Sequence, residues 1–302
     1  MTLSPLQKAF YELTFENRYL TLQGNEFQEF FRNIMEHAFP NDFVAVRPHG
    51  NTGDKKCDGF LRSKGTIYQC YAPKNMKLKN LLDKMDEDFH GASTHWTDEM
   101  KEWVFVHNDR DGIPADALKL LEKFEKEGTT NTGHHGFREL TDIVATISES
   151  KLTSLFGHVP THAVIANVPS ADILAAIQGL QGFSSAYNEA DLRAPSTAKL
   201  TGNGFSSHVI ELLRGGFVGA KRVQQFFDAY PVPDYVDTIA TAFKREYNNL
   251  RSTTAKPDEI YEALYRYADG DGSDANRRAA VLAVLSYFFE RCDIFEDPNV
   301  TE

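Results

Sequence analysis

The sequence predicts an α/β N-terminal domain over residues 1–158 and an all-α C-terminal domain over 196–302, with a connecting segment at 159–195. Three observations lead there. Short β-type runs, "DFVAVRP", "CDGFLRS", "GTIYQCYAP" and "EWVFVHN", alternate with amphipathic helical stretches in the first half. Composition shifts to small apolar and turn-rich segments between about Pro160 and Pro195. Beyond that only helical periods remain, and a chain of 302 residues suits two domains.

The elements follow in order. Residues 6–39 read as helical. In "NEFQEFFRNIMEHAF" the residues Phe27, Phe30, Phe31, Ile34, Met35 and Phe39 form one apolar stripe, with Asn25 as N-cap and Gln28 at the reciprocal capping position. Pro40 and Asn41 stop it. Three β-type runs come next, punctuated by Gly50, Gly53 and Gly65. Residues 76–101 look like an amphipathic helix, "EWVFVHN" a buried strand, and "PADALKLLEKFEKEG" a helix opened by Pro and closed by Gly. "TDIVATISESKLTSLFG" reads as one further helix. In the C-terminal half, stripes such as Val209, Ile210, Leu212 and Leu213, or Val281, Val284, Leu285 and Phe288, recur with short loops between them, the pattern of a helical bundle.

Composition excludes several classes. Apolar residues make up 41%, enough for a core, and no run of about 18 apolar residues suggests a membrane span. The N-terminus lacks the basic start and apolar stretch of a signal peptide, so a cytoplasmic location is expected. The three cysteines, Cys57, Cys70 and Cys292, are scattered and give neither a disulfide framework nor a zinc spacing. The net charge of -11 argues against nonspecific nucleic-acid binding. Local charge runs the other way. From Val44 to Asn80, eight basic residues (Arg47, Lys55, Lys56, Arg62, Lys64, Lys74, Lys77, Lys79) face two acids, Asp54 and Asp58, a local charge of +6. Such a run is either a solvated face or a phosphate-binding surface.

That basic run contains a hairpin with hard-oxygen ligands. Asp58 begins one strand and Gln69 lies on the next. Pairing through the "RSKG" turn makes them cross-strand neighbours. Asp58, Gln69 and the Cys70 backbone carbonyl form a set that suits Mg²⁺ or Mn²⁺, with Asp54 in support. The alternative is a structural hairpin.

The order "GNEFQEFF", "GDKKCDG", "IYQCY" resembles the restriction-endonuclease-like PD-(D/E)xK nucleases. Gly24, Phe27 and Gln28 match the family's helix motif; Gly53, Asp54 and Asp58 match its hairpin; Gln69 matches the acid or amide of its third element. The resemblance implies Mg²⁺-dependent DNA cleavage, with Gln28 or Glu29 orienting the site. It departs at Tyr71, where the family has the lysine that stabilises charge on the attacked phosphate. Lys74, Lys56 or Lys55 can take that role through a long flexible stem; otherwise the domain binds nucleic acid without cutting it.

A second resemblance covers more of the chain. "EWVFVHNDRDGIPAD", "LTSLFGHVP" and "VLSYFFERCDIFEDP" are similar to proteins of ABC-three-component systems, including Lamassu-type bacterial defence. It implies an effector docked by its C-terminal helices onto an ABC- or SMC-like ATPase and an accessory subunit. The rival is a catalytically inactive adaptor in the same complex. From its residues alone, "YFFERCDIFE" is an apolar aromatic helix end, buried in the bundle or at a partner surface.

Other motifs carry less. "DGDGSDANRRAA" begins like a calcium loop but has Asp274 and Ala280 at the sixth and twelfth positions, so an acidic turn is expected. His134 and His135 in "TGHHGF" read as a turn, and His107 as a strand-end histidine with a satisfied hydrogen bond. No G-x-x-x-x-G-K-[ST] loop and no G-x-S-x-G elbow is present, which excludes a P-loop ATPase and leaves an α/β-hydrolase unsupported.

Overall fold

The computed structural model describes residues 3–46, 55–128, 130–178, 197–232, 234–254, 256–268, 274–291 and 294–295. The chain divides into two compact units, residues 15–155, and residues 1–14 together with 156–302. Helix α1 (Pro5–Thr21) is shared: its residues up to Thr14 group with the C-terminal helices.

The unit of residues 15–155 is mixed α/β. After α1 come α2 (Gly24–Ala38), β1 (Phe43–Ala45), β2 (Gly59–Leu61), β3 (Thr66–Tyr71), α3 (Leu78–His95), β4 (Glu102–His107), α4 (Ala115–Glu127), β5 (Asn131–His135), α5 (Phe137–Val144) and α6 (Glu149–Phe156). The strands form one sheet in sequence order. β1, β2 and β3 are antiparallel, whereas β3, β4 and β5 are parallel, with α3 and α4 as the crossovers. Ile67 on β3 and Trp103 and Phe105 on β4 pack against Leu81, Met85 and Phe89 of α3 and Leu121 and Phe124 of α4. The Phe89 and Phe124 rings stack at 4.1 Å. Side chains alternate along a strand, so Tyr68 faces away from that layer and meets Phe31 of α2 at 5.3 Å. The α2 stripe predicted by periodicity is the buried one: Phe27, Phe30, Phe31, Ile34 and Met35.

Two expectations are corrected in this unit. "TGHHGF" is not a turn throughout, because Asn131–His135 is strand β5. Its ladder to β4, with Phe105 opposite His134 and Val106 opposite His135, supplies the strand that local propensity does not. The single helix expected over "TDIVATISESKLTSLFG" is two, α5 and α6. Between them Thr146 bonds the Ile143 carbonyl at 2.7 Å, and the amides of Lys151 and Leu152 turn to the Ser148 carbonyl. Hydroxyl side chains compete for main-chain partners and favour such breaks.

The other unit is helical: α7 (His162–Ala166), α8 (Ser170–Gln178), α9 (Thr197–Gly202), α10 (Ser207–Phe217), α11 (Ala220–Asp228), α12 (Tyr235–Thr253), α13 (Pro257–Tyr267) and α14 (Ala275–Glu290). Every residue of α14 from Arg278 to Phe289 is buried, so this helix is the axis of the bundle and not a surface helix with one apolar stripe. Close packing explains the glycines of α10. A Cβ on Gly216 would stand 2.2 Å from the Leu282 carbonyl oxygen, so α14 approaches to backbone contact there. Tyr287, Phe288 and Phe289 are fully buried, which makes "YFF" core and not a partner surface; Phe295 packs on Phe205 at 4.7 Å and Tyr247 at 5.0 Å. Arg291 pairs with Asp237 at 2.9 Å, tying α14 to α12. The connecting segment from 179 to 195, the "DGDGS" part of the acidic turn and Cys292 lie outside the described residues. Among the described residues no helix is long and apolar enough to cross a membrane.

Candidate functional site around Asp58

The β2–β3 hairpin is anchored at its turn. The Asp42 carboxylate accepts the Ser63 amide at 2.8 Å and its hydroxyl at 2.6 Å, and these bonds hold the Asp42 carboxyl below its usual pKa. From that turn the ladder runs Leu61 opposite Thr66, Phe60 opposite Ile67 and Gly59 opposite Tyr68. One more step would set Asp58 opposite Gln69. The chain departs from that register, because the Asp58 amide donates to the Tyr68 carbonyl at 2.9 Å. Two residues, 58 and 59, thus face Tyr68, the signature of a bulge, which re-aims a side chain.

The bulge aims the Asp58 carboxylate at the main chain of Cys70. The Cys70 amide donates to Asp58 Oδ2 at 2.6 Å. Gln28 Nε2, on the second turn of α2, donates to Asp58 Oδ1. Gln28 is placed by the start of its helix: the Gly24 amide bonds the Ala72 carbonyl at 2.7 Å, fixing α2 to the end of β3. Asp58 is only 6% exposed, and Gln28, Asp58 and Cys70 are thus brought together. Both the amide and the carbonyl of a strand residue point to the same side, so the Cys70 carbonyl also faces Asp58. Burial, then Asp58, raises the Cys70 thiol well above its ordinary pKa, so the thiol stays protonated.

Gln69 is buried at 5% exposure, and its Oε1 has no hydrogen-bond partner among the described residues. By strand alternation it shares the α3–α4 side with Ile67 and Tyr71. An unsatisfied buried carbonyl oxygen costs about 1–3 kcal/mol and calls for an explanation. Tyr71 is half-buried, its ring 6.1 Å from that of Phe105.

The basic residues do not gather at one place. Arg62 and Lys64 are exposed at the hairpin turn. β3 spans six residues, so they stand about 17 Å from its far end, where Cys70 lies. Lys74, Lys77 and Lys79 are exposed after β3, and no ion pair among the described residues holds them. Lys56 is tied to α3, its ammonium 2.5 Å from Glu87 and 3.1 Å from Asp88. Trp96 Nε1 donates to the Lys55 carbonyl at 3.2 Å. Glu29 turns to Arg32 on its own helix. Arg47, Gly53 and Asp54 lie outside the described residues.

Sequence reasoning missed a second polar cluster in this unit. His107, fully buried at the end of β4, lies 3.2 Å from His134 (Nε2 to Nδ1). Its Nδ1 accepts the Asp109 amide at 3.3 Å, so the neutral ring carries its proton on Nε2 and donates to His134. Burial, and secondarily His134, pushes His107 down to about 4; burial does the same to His135. Burial works against ionised Glu139, but the Gly136 amide at 3.0 Å and its own amide outweigh it, and its pKa is lowered. Tyr19 seals the cluster, donating to the carbonyls of His107 and Asp109 at 2.9 and 3.0 Å. The adjacent pair "HH" gives no periodic signal, and only pairing with β4 brings His134 to His107.

Residues 171–296 match the model of C-terminal domain 10 of the ABC-three component (ABC-3C) systems. The C-terminal region thus matches a domain of the ABC-three-component systems, and such a domain implies a multi-component complex. No curated protein and no solved structure matches the chain.

Proposed function

We propose that residues 15–155 form a metal-dependent DNA endonuclease of the restriction-endonuclease-like kind. Its C-terminal helical domain carries it, as the effector of an anti-phage or anti-plasmid defence complex, onto an ABC- or SMC-like ATPase, as in Lamassu-type systems. The observation that carries this reading is a buried carboxylate, Asp58, aimed by a bulge at the main chain of Cys70, next to Gln69 with an unpartnered buried oxygen. The element order also supports it: a helix, three antiparallel strands, a crossover helix and a parallel strand.

The Asp58 carboxylate and the Cys70 carbonyl are hard oxygens of the kind that would hold Mg²⁺ or Mn²⁺; Gln69 Oε1, on the α3–α4 side, would have to turn to join them. When bound, such a cation offsets charge on a phosphate and lowers the pKa of water. Gln28 orients Asp58 through its hydrogen bond to Oδ1. Lys56 or Lys74 supplies the cation that Tyr71 lacks, and Lys55, Lys77 and Lys79 draw the phosphate backbone.

A second reading has its own support. Both Asp58 oxygens already accept hydrogen bonds, and Lys56 is paired on α3. These fit an inactive adaptor that binds nucleic acid or bridges partner proteins. Assay of the full chain, alone and with its ATPase partner, on duplex DNA decides between them. The enzyme reading expects cleavage with Mg²⁺ or Mn²⁺, and a loss of about 100-fold or more on Asp58→Ala. Intact complex assembly with no cleavage under either metal establishes the adaptor.

A further inference from the structure

We propose that Glu87 and Asp88 of α3 are positioning residues for Lys56, holding its ammonium away from Asp58 until a phosphodiester competes for it. This rests on the nuclease reading above and names a control on the same site.

Lys55 and Lys56 are consecutive left-handed residues, with φ of 56° and 58°. Neither is glycine, and a Cβ disfavours that conformation. Something holds the strained pair, and α3 provides it. Trp96 donates to the Lys55 carbonyl at 3.2 Å. The Lys56 stem lies over Gly91, where an added Cβ would stand 2.6 Å from Lys56 Cγ. The ammonium reaches Glu87 and Asp88.

Asp88 does not need this partner. It is completely buried, yet Lys84 already reaches the same oxygen at 2.8 Å from one turn away. Lys56 is therefore a second ammonium on an acid already paired, and its departure leaves Asp88 neutralised. Glu87 is 65% exposed and is satisfied by water once released. Lys56 lies two residues from Asp58, at most about 7 Å of chain, so release moves a cation to the carboxylate without remodelling the fold. A DNA phosphate outbids a solvated carboxylate for it because each contact also releases counterions.

The test uses the full chain with Glu87→Gln, an exposed and conservative change. Lys56 acylation by an amine-reactive ester, followed by mass spectrometry, is expected to quicken about fivefold, the upper range of an exposed ion pair. KM for duplex DNA is expected to fall by the same factor with kcat unchanged, because the competent state is more populated. A merely structural ion pair quickens acylation but leaves KM where it was. Unchanged acylation overturns the proposal, as does unchanged KM in a chain that cleaves. In a chain that never cleaves, the Kd for duplex DNA is read instead: a fall supports the positioning role and overturns the nuclease reading alone, and an unchanged Kd overturns both. Lys56→Ala is the control: its urea midpoint stays near that of the parent if Lys84 suffices for Asp88, and a midpoint far below the parent's, as an unpaired buried charge requires, overturns the argument.

Discussion

In the helical unit, two buried cations end on main-chain carbonyls, and a third, Arg291, ends on Asp237. Lys199 donates to Phe289 at the end of α14 and stands 4.4 Å over its ring; Arg278 donates to His158 at 3.3 Å and lies over Phe10. In the α/β unit, buried polar groups meet other polar side chains: Gln28 with Asp58, His107 with His134, Asp88 with Lys56 and Lys84. Main-chain partners are fixed by the fold and cannot be reassigned. Side-chain partners can be. Buried polar atoms without a hydrogen bond occur in both units, Gln69 Oε1 and Tyr261 Oη among them, so the contrast lies in the partners of these clusters. Lys199 and Arg278 act as scaffold, and the α/β clusters are held by side chains that can exchange. Proteins tolerate that pattern where chemistry or switching needs it.

The contrast has a large test in the bundle. Gly216→Val forces a branched side chain against the α14 backbone and is expected to cost about 5 kcal/mol, most of a domain's stability. Far-UV circular dichroism during urea unfolding reads the helices, while fluorescence reads the other unit, because both tryptophans, Trp96 and Trp103, lie in it. A fluorescence transition that shifts as far as the helical one breaks the contrast.

Acid is the next probe. His107 and His135 titrate near 4 when folded and near 6.5 when unfolded. Between those values the unfolded chain binds more protons. Their contribution is therefore complete above pH 6.5 and is lost as pH falls towards 4. One ring is worth at most about 3 kcal/mol, so fluorescence-detected stability should fall across that window and His107→Gln should flatten the fall. A flat profile in the parent chain contradicts the buried neutral pair.

Gln28→Ala is the smallest of the three. It removes one of two donors seen on a buried carboxylate and should cost about 1.5 kcal/mol by the same fluorescence signal. A neutral result would mean that Asp58 is held in place without Gln28.

The periodic helices were legible in the sequence because their burial is one-sided, as the α2 phenylalanines show. α14 was legible as a helix but not as the axis of the bundle. Periodicity picks out one face, and Ala279, Ala280 and Ala283 bury the others without standing out. β5 was not legible, because "NTGHH" holds no apolar alternation and owes its strand to β4. At the site, the sequence pointed to Asp58, Gln69 and Gln28 as a group. It could not show the bulge that turns Asp58 towards Cys70, since register depends on hydrogen bonds and not on spacing. Nor could it place Lys56, whose partners lie 31 and 32 residues on, across a helix.

One consequence of the shared helix α1 concerns time. Phe10 packs under Arg278, and Leu6 fills the space at Gly215, so the helical unit is closed by both early and late parts of the chain. At about 5–20 residues per second, translation leaves those first side chains waiting for about 10–60 s before Arg278 emerges. The α/β unit, lying wholly between them, is complete long before. During synthesis the α/β unit is therefore folded while the helical unit still has an open seam.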